Sequence, residues 1–307
     1  MDDIKDTNYK FYSQDIENIW YIFFCLADSA FSSVDVSYGK KGPYMLSGET
    51  MMSICKTIET IDFCCNRDAY SDAYTLLRKC RDDLMQYLFV LNVIQNKHGL
   101  TDKEAEKFTI NSESMMKMIE LDVSILVSGE RKTDAELAME KWIYNVLESS
   151  ENNKDRKQFF DTSKYKSYLV SNNEKVKYIF ENFLVDKWMR EDRQLNNYVH
   201  ANGIRYLMDN YIYQDKKENK DKEFIETLQN ITDIFLSLLS VIDSIKFHSS
   251  DYLDALEMGM KPQEGSQYWV CPIIVEYMND RFDKELLQYI QNNEGNGMQF
   301  RTEYYVD

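Results

Sequence analysis

The chain has 307 residues, of which 44% are hydrophobic and 29% are charged, so it can bury a core and is not a disordered protein. Its net charge of −16 argues against broad nucleic-acid binding, because an acidic surface repels phosphate. The first ten residues are acidic and polar, and the apolar run 19–27 is about half as long as a bilayer span. We therefore expect a cytoplasmic protein with neither a signal peptide nor a membrane segment.

The cysteines and histidines do not form a metal-binding or redox pattern. The six cysteines include no CxxC pair and none has a nearby histidine, which favours reduced thiols. With three histidines and no HExxH motif, we expect no zinc site. The sequence also contains no P-loop, GxGxxG or GxSxG motif, so we expect no cofactor.

Helices are predicted along most of the chain. Prolines occur only at 43, 262 and 272, and the stretch between the first two is rich in Leu, Met, Lys and Glu. Capping boxes mark three helix starts, at Thr101 with Glu104, Thr133 with Glu136, and Ser171 with Glu174. No alternation typical of β-strands occurs. Apolar periodicity predicts helices at residues 13–36, 47–66, 67–97, 112–127, 132–149, 172–186, 190–213, 219–247 and 273–292.

The clearest predicted helix covers residues 67–97. Arg81 lies about 40° from the centre of its apolar stripe, so the stem of this side chain must be at least partly buried. A buried guanidinium requires a partner. That partner is either a carboxylate, such as Glu191 or Asp192, or a phosphate bound next to His200. The stripe itself consists of Tyr70, Ala73, Tyr74, Leu77, Cys80, Leu84, Leu88 and Leu91.

The segment "RQLNNYVHANG", residues 193–203, carries the candidate site. Arg193 and His200 are seven positions apart, so on a helix they differ in direction by only about 20° and share a face. Asn197 lies between them on that face, and Asn196 lies at its edge.

The remainder of the predicted helix 190–213 indicates a sheltered position for this face. Ile204, Leu207 and Tyr211 continue it and are typical core residues. We therefore expect the polar stripe to be at least partly covered. Gly203 inside a helix costs about 1 kcal/mol relative to alanine, which suggests that another backbone packs closely there.

These elements together predict an all-α fold, a helical bundle. Its core would comprise residues 45–99 and 172–248, including the strongly apolar helix 219–247. Residues 100–171 would form a helical insertion and residues 249–307 a C-terminal helical extension.

Charge is distributed unevenly along the chain. Residues 151–222 contain 15 Lys and Arg against 12 Asp and Glu, whereas residues 223–307 contain 5 against 15. The candidate site therefore lies in the one part that is not strongly acidic. This permits an RNA-facing patch there, but a locally neutral surface is equally ordinary. In the acidic part, Asp233 and Asp243 are expected on solvated helix faces.

An arginine and a histidine on one face can cleave RNA without a metal ion. The imidazole of His200 can exchange a proton with the 2′-hydroxyl or the leaving 5′-oxygen. The guanidinium of Arg193 can hold the phosphate with two hydrogen bonds, and Asn197 could orient either group. A single arginine–histidine pair provides few catalytic groups for this reaction, so a two-fold dimer would supply a second pair. The structural alternative is that these polar side chains satisfy one another inside the bundle.

The same residues resemble a known family. In the HEPN superfamily, an arginine, four to six residues and a histidine lie on one helix of a bundle, and "RQLNNYVHANG" is similar to that signature, with six intervening residues that begin at Gln194. The order of a long helix with "LLRKCRDDLMQYLFV", an insertion, the "YVHANG" helix and a further apolar helix is also similar to HEPN proteins of phage defence and toxin–antitoxin systems. The resemblance implies a four-to-five-helix bundle, dimerisation and metal-independent endoribonuclease activity, with Arg193 and His200 as the catalytic residues.

Three hypotheses follow for the function. The first is a cytoplasmic, dimeric, HEPN-like endoribonuclease that uses Arg193, His200 and Asn197, supported by Arg81 and Asn196. The second is a catalytically inactive helical module that binds a protein partner, such as an antitoxin or a sensor subunit. The third is a purely structural bundle.

Overall fold

The computed structural model describes residues 10–28, 35–37, 43–96, 133–135, 138–139, 162–200, 202–211, 214–247, 258–260, 272–295, 298 and 300. The predicted all-α fold is confirmed, since helices dominate this part of the chain and pack as a bundle. The helices are α1 (Gln14–Asp28), α2 (Leu46–Asn66), α3 (Tyr70–Gln95), α4 (Thr162–Asn172), α5 (Glu174–Ile179), α6 (Val185–Val199), α7 (Ile204–Met208), α8 (Gln214–Ile242), α9 (Pro272–Arg281) and α10 (Lys284–Asn293).

A short antiparallel ladder departs from the predicted pattern. Strands β1 (Asp35–Ser37) and β2 (Pro43–Met45) pair with Val36 opposite Tyr44. The predicted helix 13–36 therefore ends earlier, at Asp28. Pro43 is the first residue of its strand, where its missing N–H is tolerated. Three residues per strand do not change the fold class.

Helix α8 lies at the centre of the bundle. It contacts α1, α3, α5, α6 and α10, and residues 231–242 are all buried. The part Lys216–Ile242 has the length and apolar composition of a membrane span, but 83% of its most apolar window is buried inside the protein. We attribute this composition to the central position of the helix, which is apolar because other helices surround it.

Helices α2 and α3 pack against each other and against the rest of the core. Residues 67–69 join them, and Asp68 adopts a positive φ of 60° in this connection. The side chain of Asp68 forms an ion pair with Lys217 on α8. The predicted apolar stripe of α3 is confirmed, because all eight of its residues are buried.

The two predicted helices 172–186 and 190–213 are divided differently in the structure. The chain is helical without interruption from 174 to 199, since a π-helical turn at Phe180–Leu184 joins α5 to α6. The predicted capping box at Ser171 is wrong, because Ser171 lies within α4. Instead, the Asn173 side chain accepts hydrogen bonds from the backbone N–H groups of residues 175 and 176.

The C-terminal helices are attached to α8 by a buried carboxylate. The predicted helix 273–292 is two helices, α9 and α10, separated by residues 282 and 283. Asp233 accepts hydrogen bonds from Tyr277 Oη at 2.9 Å, from Arg281 Nε and Nη2 at 2.9 Å each, and from Lys187 Nζ at 2.8 Å. The prediction that Asp233 is solvated is wrong, since three cationic or polar side chains compensate for its burial.

Most of the predicted insertion lies outside the described residues. The structure covers residues 100–171 only at 133–135, 138–139 and 162–171, so the predicted helix 112–127 and the capping box at Thr101 fall outside it. The predicted helix 132–149 is described as helical at 134–135 and 138–139. Five of the six cysteines are described, and each is a free thiol.

Candidate functional site

Helix α6 presents one face to the core and the other to solvent. Its inward face is formed by Trp188, Glu191, Leu195 and Tyr198, which are spaced three or four residues apart and are all buried. This face packs against α3 and α8. This spacing forms one stripe along a helix with 3.6 residues per turn. Residues on the opposite side of the helix therefore point outward.

The candidate catalytic residues lie on the outward face. Arg193 and His200 are both exposed, and Asn196 and Asn197 are half-buried. His200 is the residue that ends α6, and its backbone N–H still donates to the Asn196 carbonyl at 3.1 Å. The two side chains therefore share a face as predicted, with an axial separation of about 10.5 Å between their Cα atoms.

Neither of the two candidate side chains, Arg193 and His200, contacts another part of the described chain. The described contacts include no hydrogen bond, ion pair or ring contact for the side chains of Arg193 and His200. Both are thus accessible to a ligand. This excludes the geometry that would have removed the enzyme hypothesis, namely a fully buried His200 with its ring nitrogens bonded to backbone carbonyls.

The predicted shelter over this face is wrong. Ile204, Leu207 and Tyr211 are not core residues, since they are 77%, 56% and 73% exposed. The reason is that the predicted helix 190–213 ends at Val199, so residues further along the chain no longer follow the faces of α6. Ile204 and Leu207 lie in the separate short helix α7, none of whose residues is buried, and Tyr211 follows that helix.

The end of α6 explains the glycine at 203. Asn202 terminates the helix, because its backbone N–H donates to the Asn197 carbonyl at 3.0 Å and its side-chain amide donates to Asn197 Oδ1 at 3.1 Å. Gly203 then adopts a φ of 137°. A Cβ at this position would meet only Tyr206 Cδ2 at 4.0 Å, so the prediction of a closely packed backbone is wrong. Glycine is required for the backbone angle, which side chains other than hydrogen disfavour.

Asn197 therefore has a structural contact in addition to its predicted role. Its amide oxygen accepts from Asn202, one turn beyond the end of the helix. Asn197 can still orient a ligand through its nitrogen, but the oxygen is engaged in closing the turn that follows His200.

Arg81 is buried and has carboxylate partners. Its side chain is only 3% exposed. The guanidinium donates to Asp192 Oδ1 at 2.7 Å and to Asp82 Oδ1 at 3.0 and 2.7 Å, and it lies 5.4 Å from the centre of the Trp188 ring. Of the two predicted partners, the structure shows the carboxylate. Arg81 thus joins α3 to α6.

Glu191 was proposed as an alternative partner of Arg81, and the structure gives it different contacts. Its Oε1 accepts from Asn230 Nδ2 at 2.8 Å and from Arg190 Nε at 2.9 Å, and its Oε2 has no hydrogen-bond partner. Burial raises the pKa of this carboxyl group above its ordinary value, although the bonds from Arg190 and Asn230 act in the opposite direction. No sequence pattern marks Glu191, because its spacing alone does not show which neighbouring helix it faces.

Within the described residues, no group of three His, Cys, Asp or Glu side chains is arranged to hold a metal ion. Comparisons with protein-family models, with curated proteins and with solved structures find no match to this chain. Its function must therefore be argued from the outward face of α6 and its surroundings.

Proposed function

We propose that this protein is a metal-independent endoribonuclease in which Arg193 and His200 act directly on RNA. The observation that carries the proposal is the exposure of both side chains on one face of α6, without a partner in the described part of the chain. In this position both side chains can contact a ligand directly, because no other described protein group occupies their polar atoms. The resemblance of the same two residues to the HEPN signature supports the same assignment.

The reaction requires one proton acceptor, one proton donor and a group that binds the phosphate. His200 removes the proton from the 2′-hydroxyl, and the 2′-oxygen then attacks phosphorus as the 5′-oxygen leaves with a proton. The products are a 2′,3′-cyclic phosphate and a 5′-hydroxyl end. Arg193 donates hydrogen bonds to the non-bridging oxygens and stabilises the negative charge that develops on them.

A second copy of the chain would supply the second proton-transfer group. The outward face of α6 carries Val185, Met189, Arg193, Asn196 and His200 at spacings of three and four residues, which is the pattern of a helix that packs against another helix. Val185 and Met189 are exposed apolar side chains. We therefore propose a homodimer in which α6 faces its two-fold mate and two Arg193–His200 pairs share one RNA.

The proposed substrate surface lies within residues 151–222, a segment with 15 Lys and Arg against 12 Asp and Glu. This local charge offsets the repulsion that RNA would meet elsewhere on a chain with a net charge of −16. By its resemblance to HEPN proteins, we place the activity in the cytoplasm, in a phage-defence or toxin–antitoxin setting.

Cleavage of a mixed, end-labelled RNA pool in excess EDTA tests the proposal. The wild-type protein is expected to produce fragments that end in 2′,3′-cyclic phosphate, and both His200→Ala and Arg193→Gln are expected to produce none. Lys177→Gln is the matched control, because it removes one exposed positive charge from α5 away from the outward face. Purification of all variants by one protocol excludes a contaminating nuclease.

The outcomes separate the candidate functions. Cleavage that persists in His200→Ala would contradict the assignment of the histidine. Absence of cleavage by the wild type across the pool would contradict the enzyme proposal, and the second candidate would then be preferred.

That second candidate is a catalytically inactive module that binds a protein partner, such as an antitoxin or a sensor subunit. It is favoured by the exposed apolar side chains of Ile204, Leu207, Met208 and Tyr211, which lie directly after the site in the chain. Sedimentation velocity of the wild type and Leu207→Glu measures whether this surface is occupied by a second copy. A monomer in both cases would favour a different protein as the partner over the homodimer.

A further inference from the structure

The segment 202–211, which contains α7, has few contacts that could hold it against the bundle. No residue of α7 is buried, and only Tyr206 packs partly against the core. A segment without buried apolar side chains opens at low free-energy cost unless specific polar contacts retain it. The contacts that retain this segment therefore determine how the turn after His200 is placed.

Three side chains from three elements meet beneath this segment, and we call them the latch: Tyr198 of α6, Asp209 after α7, and Lys220 of α8. The Tyr198 hydroxyl donates to Asp209 Oδ2. Lys220 Nζ donates to the Tyr198 hydroxyl at 3.0 Å and forms an ion pair with Asp209 Oδ2 at 2.9 Å. Each member of the latch thus contacts both of the others. Hydrogen bonds that involve a charged group are stronger than neutral ones.

The aromatic ring of Tyr198 fixes the latch to the core. It stacks on the buried Tyr74 ring with centres 4.1 Å apart and planes inclined by 11°. Tyr206 of the segment contacts the Tyr198 ring edge-on, with centres 4.9 Å apart. The Lys220 ammonium lies 5.4 Å from the centre of the Tyr74 ring. Tyr198 is therefore held rigidly at one end by stacking and offers its hydroxyl to the segment at the other.

One further polar contact retains the far end of the segment. The Asn210 side chain accepts from the backbone N–H of Ser71 at 2.9 Å and donates to Asp72 Oδ2 at 3.4 Å. This contact holds residue 210 to the start of α3. It does not reach the turn after His200, which Asn202 closes through its bonds to Asn197, and Tyr198 and Asp209 anchor the chain on either side of that turn.

We propose that the latch of Tyr198, Asp209 and Lys220 positions His200, so that Tyr198 and Lys220 act as positioning residues for the site. The latch joins the chain on the two sides of the turn that follows His200, and it also holds α7, which comes directly after that turn in the chain. The consequence for catalysis rests on the proposed function. The structural action of the latch does not, and it is measured separately.

Hydrogen exchange tests the structural action in the full chain. Tyr198→Phe removes only the hydroxyl and keeps the stacked ring, and Lys220→Gln removes the charge. Both are expected to accelerate exchange of the amides of residues 206 and 209–211 by about tenfold or more, because a hydrogen bond to a charged group is lost. Amides in the middle of α3 and α8 should exchange as in the wild type.

Two matched variants control for the chemical change. Tyr178→Phe removes the hydroxyl of an exposed tyrosine whose ring stacks on Tyr289. Lys222→Gln removes a charge two residues from Lys220, at an exposed pair with Glu218. Neither should change exchange in the segment 202–211.

The position of His200 is read from its imidazole proton signals in an NMR spectrum, since the chain has only three histidines to assign. Tyr198→Phe is expected to shift the His200 signal, and Tyr178→Phe is expected to leave it unchanged. In the cleavage assay, kcat of Tyr198→Phe should fall by about tenfold or more while KM changes little, because a misplaced catalytic group slows the chemical step.

The latch proposal is overturned if exchange in the segment stays at the wild-type rate, if it rises equally throughout the protein, or if the His200 signal does not move. It is also overturned if exchange rises locally while an active enzyme keeps its kcat. If the wild type cleaves no RNA, the proposed function fails, and the exchange and NMR measurements alone decide whether the latch positions His200.

Discussion

The two faces of α6 differ in burial and in the partners of their side chains. On the inward face, Trp188, Glu191, Leu195 and Tyr198 are buried, and their polar atoms mostly reach partners on α7, α8 or the adjoining loops. On the outward face, Arg193 and His200 are exposed and have no partner in the described residues. A single helix of fifteen residues thus carries one side that serves folding and another on which, within the described residues, only Asn197 of the candidate residues has a side-chain contact.

This difference separates stability from function. A substitution on the inward face removes contacts that the folded state has and the unfolded state lacks, so it lowers the free energy of unfolding. A substitution of Arg193 or His200 on the outward face removes no contact within the described residues. Loss of activity there would therefore reflect a lost interaction with a ligand or a second copy.

The largest expected loss of stability is at Trp188, on the inward face. This side chain is buried, contacts Phe180 edge-on and lies beneath the guanidinium of Arg81. Trp188→Ala should lower the free energy of unfolding by about 3–5 kcal/mol, because a large cavity replaces the ring. Chemical denaturation measures this change. Met189→Ala, one residue away on the exposed side, is the control and should cost less than about 0.5 kcal/mol.

An intermediate effect on stability, which depends on pH, is expected at Glu191. Because burial raises the pKa of this carboxyl in the folded state above its unfolded value, the wild type loses stability as the pH rises through the folded pKa. Glu191→Gln cannot ionise. Its stability relative to the wild type should therefore improve as the pH rises above about 4.3, the ordinary pKa of a glutamate, as thermal or chemical denaturation would measure.

The control for this titration is Glu226→Gln, which changes an exposed carboxylate on α8. This variant should show no comparable gain in stability relative to the wild type as the pH rises. A Glu191→Gln variant that becomes less stable relative to the wild type at higher pH would mean that the bonds from Arg190 and Asn230 outweigh the cost of burial.

The smallest effect on stability is expected on the outward face. Arg193→Gln and His200→Gln should each change the free energy of unfolding by less than about 0.5 kcal/mol, because neither side chain has a partner to lose. Denaturation curves of both variants against the wild type measure this. A loss of more than about 2 kcal/mol would show that these residues support the fold, and the contrast between the two faces would disappear.

Sequence periodicity correctly predicted features that depend on the geometry of a single helix. It predicted the buried stripe of α3 and the burial of Arg81 near it, because the direction of a side chain around a helix follows from the residue count alone. The same count correctly placed Arg193 and His200 on one face.

The predictions failed where a helix ended or where another element supplied a partner. The sequence pattern around Gly203 is compatible with a continuous helix, yet the positive φ of this residue starts a new segment. Ile204 and Leu207, which were expected to cover the site, are therefore exposed instead. Asp233 was expected on a solvated helix face because of its spacing along the helix. Its three donors come from Lys187 on α6 and from Tyr277 and Arg281 on α9, which are far away in sequence.

The sequence by itself determined the helical class of this protein and the shared direction of Arg193 and His200, because both follow from local periodicity within a helix. The tertiary structure alone decided which face of α6 is buried, since burial depends on where α3 and α8 lie against it. It also decided that Tyr198, Asp209 and Lys220 meet beneath the turn after His200. Contacts of that kind join three elements, and no spacing within one element can specify them.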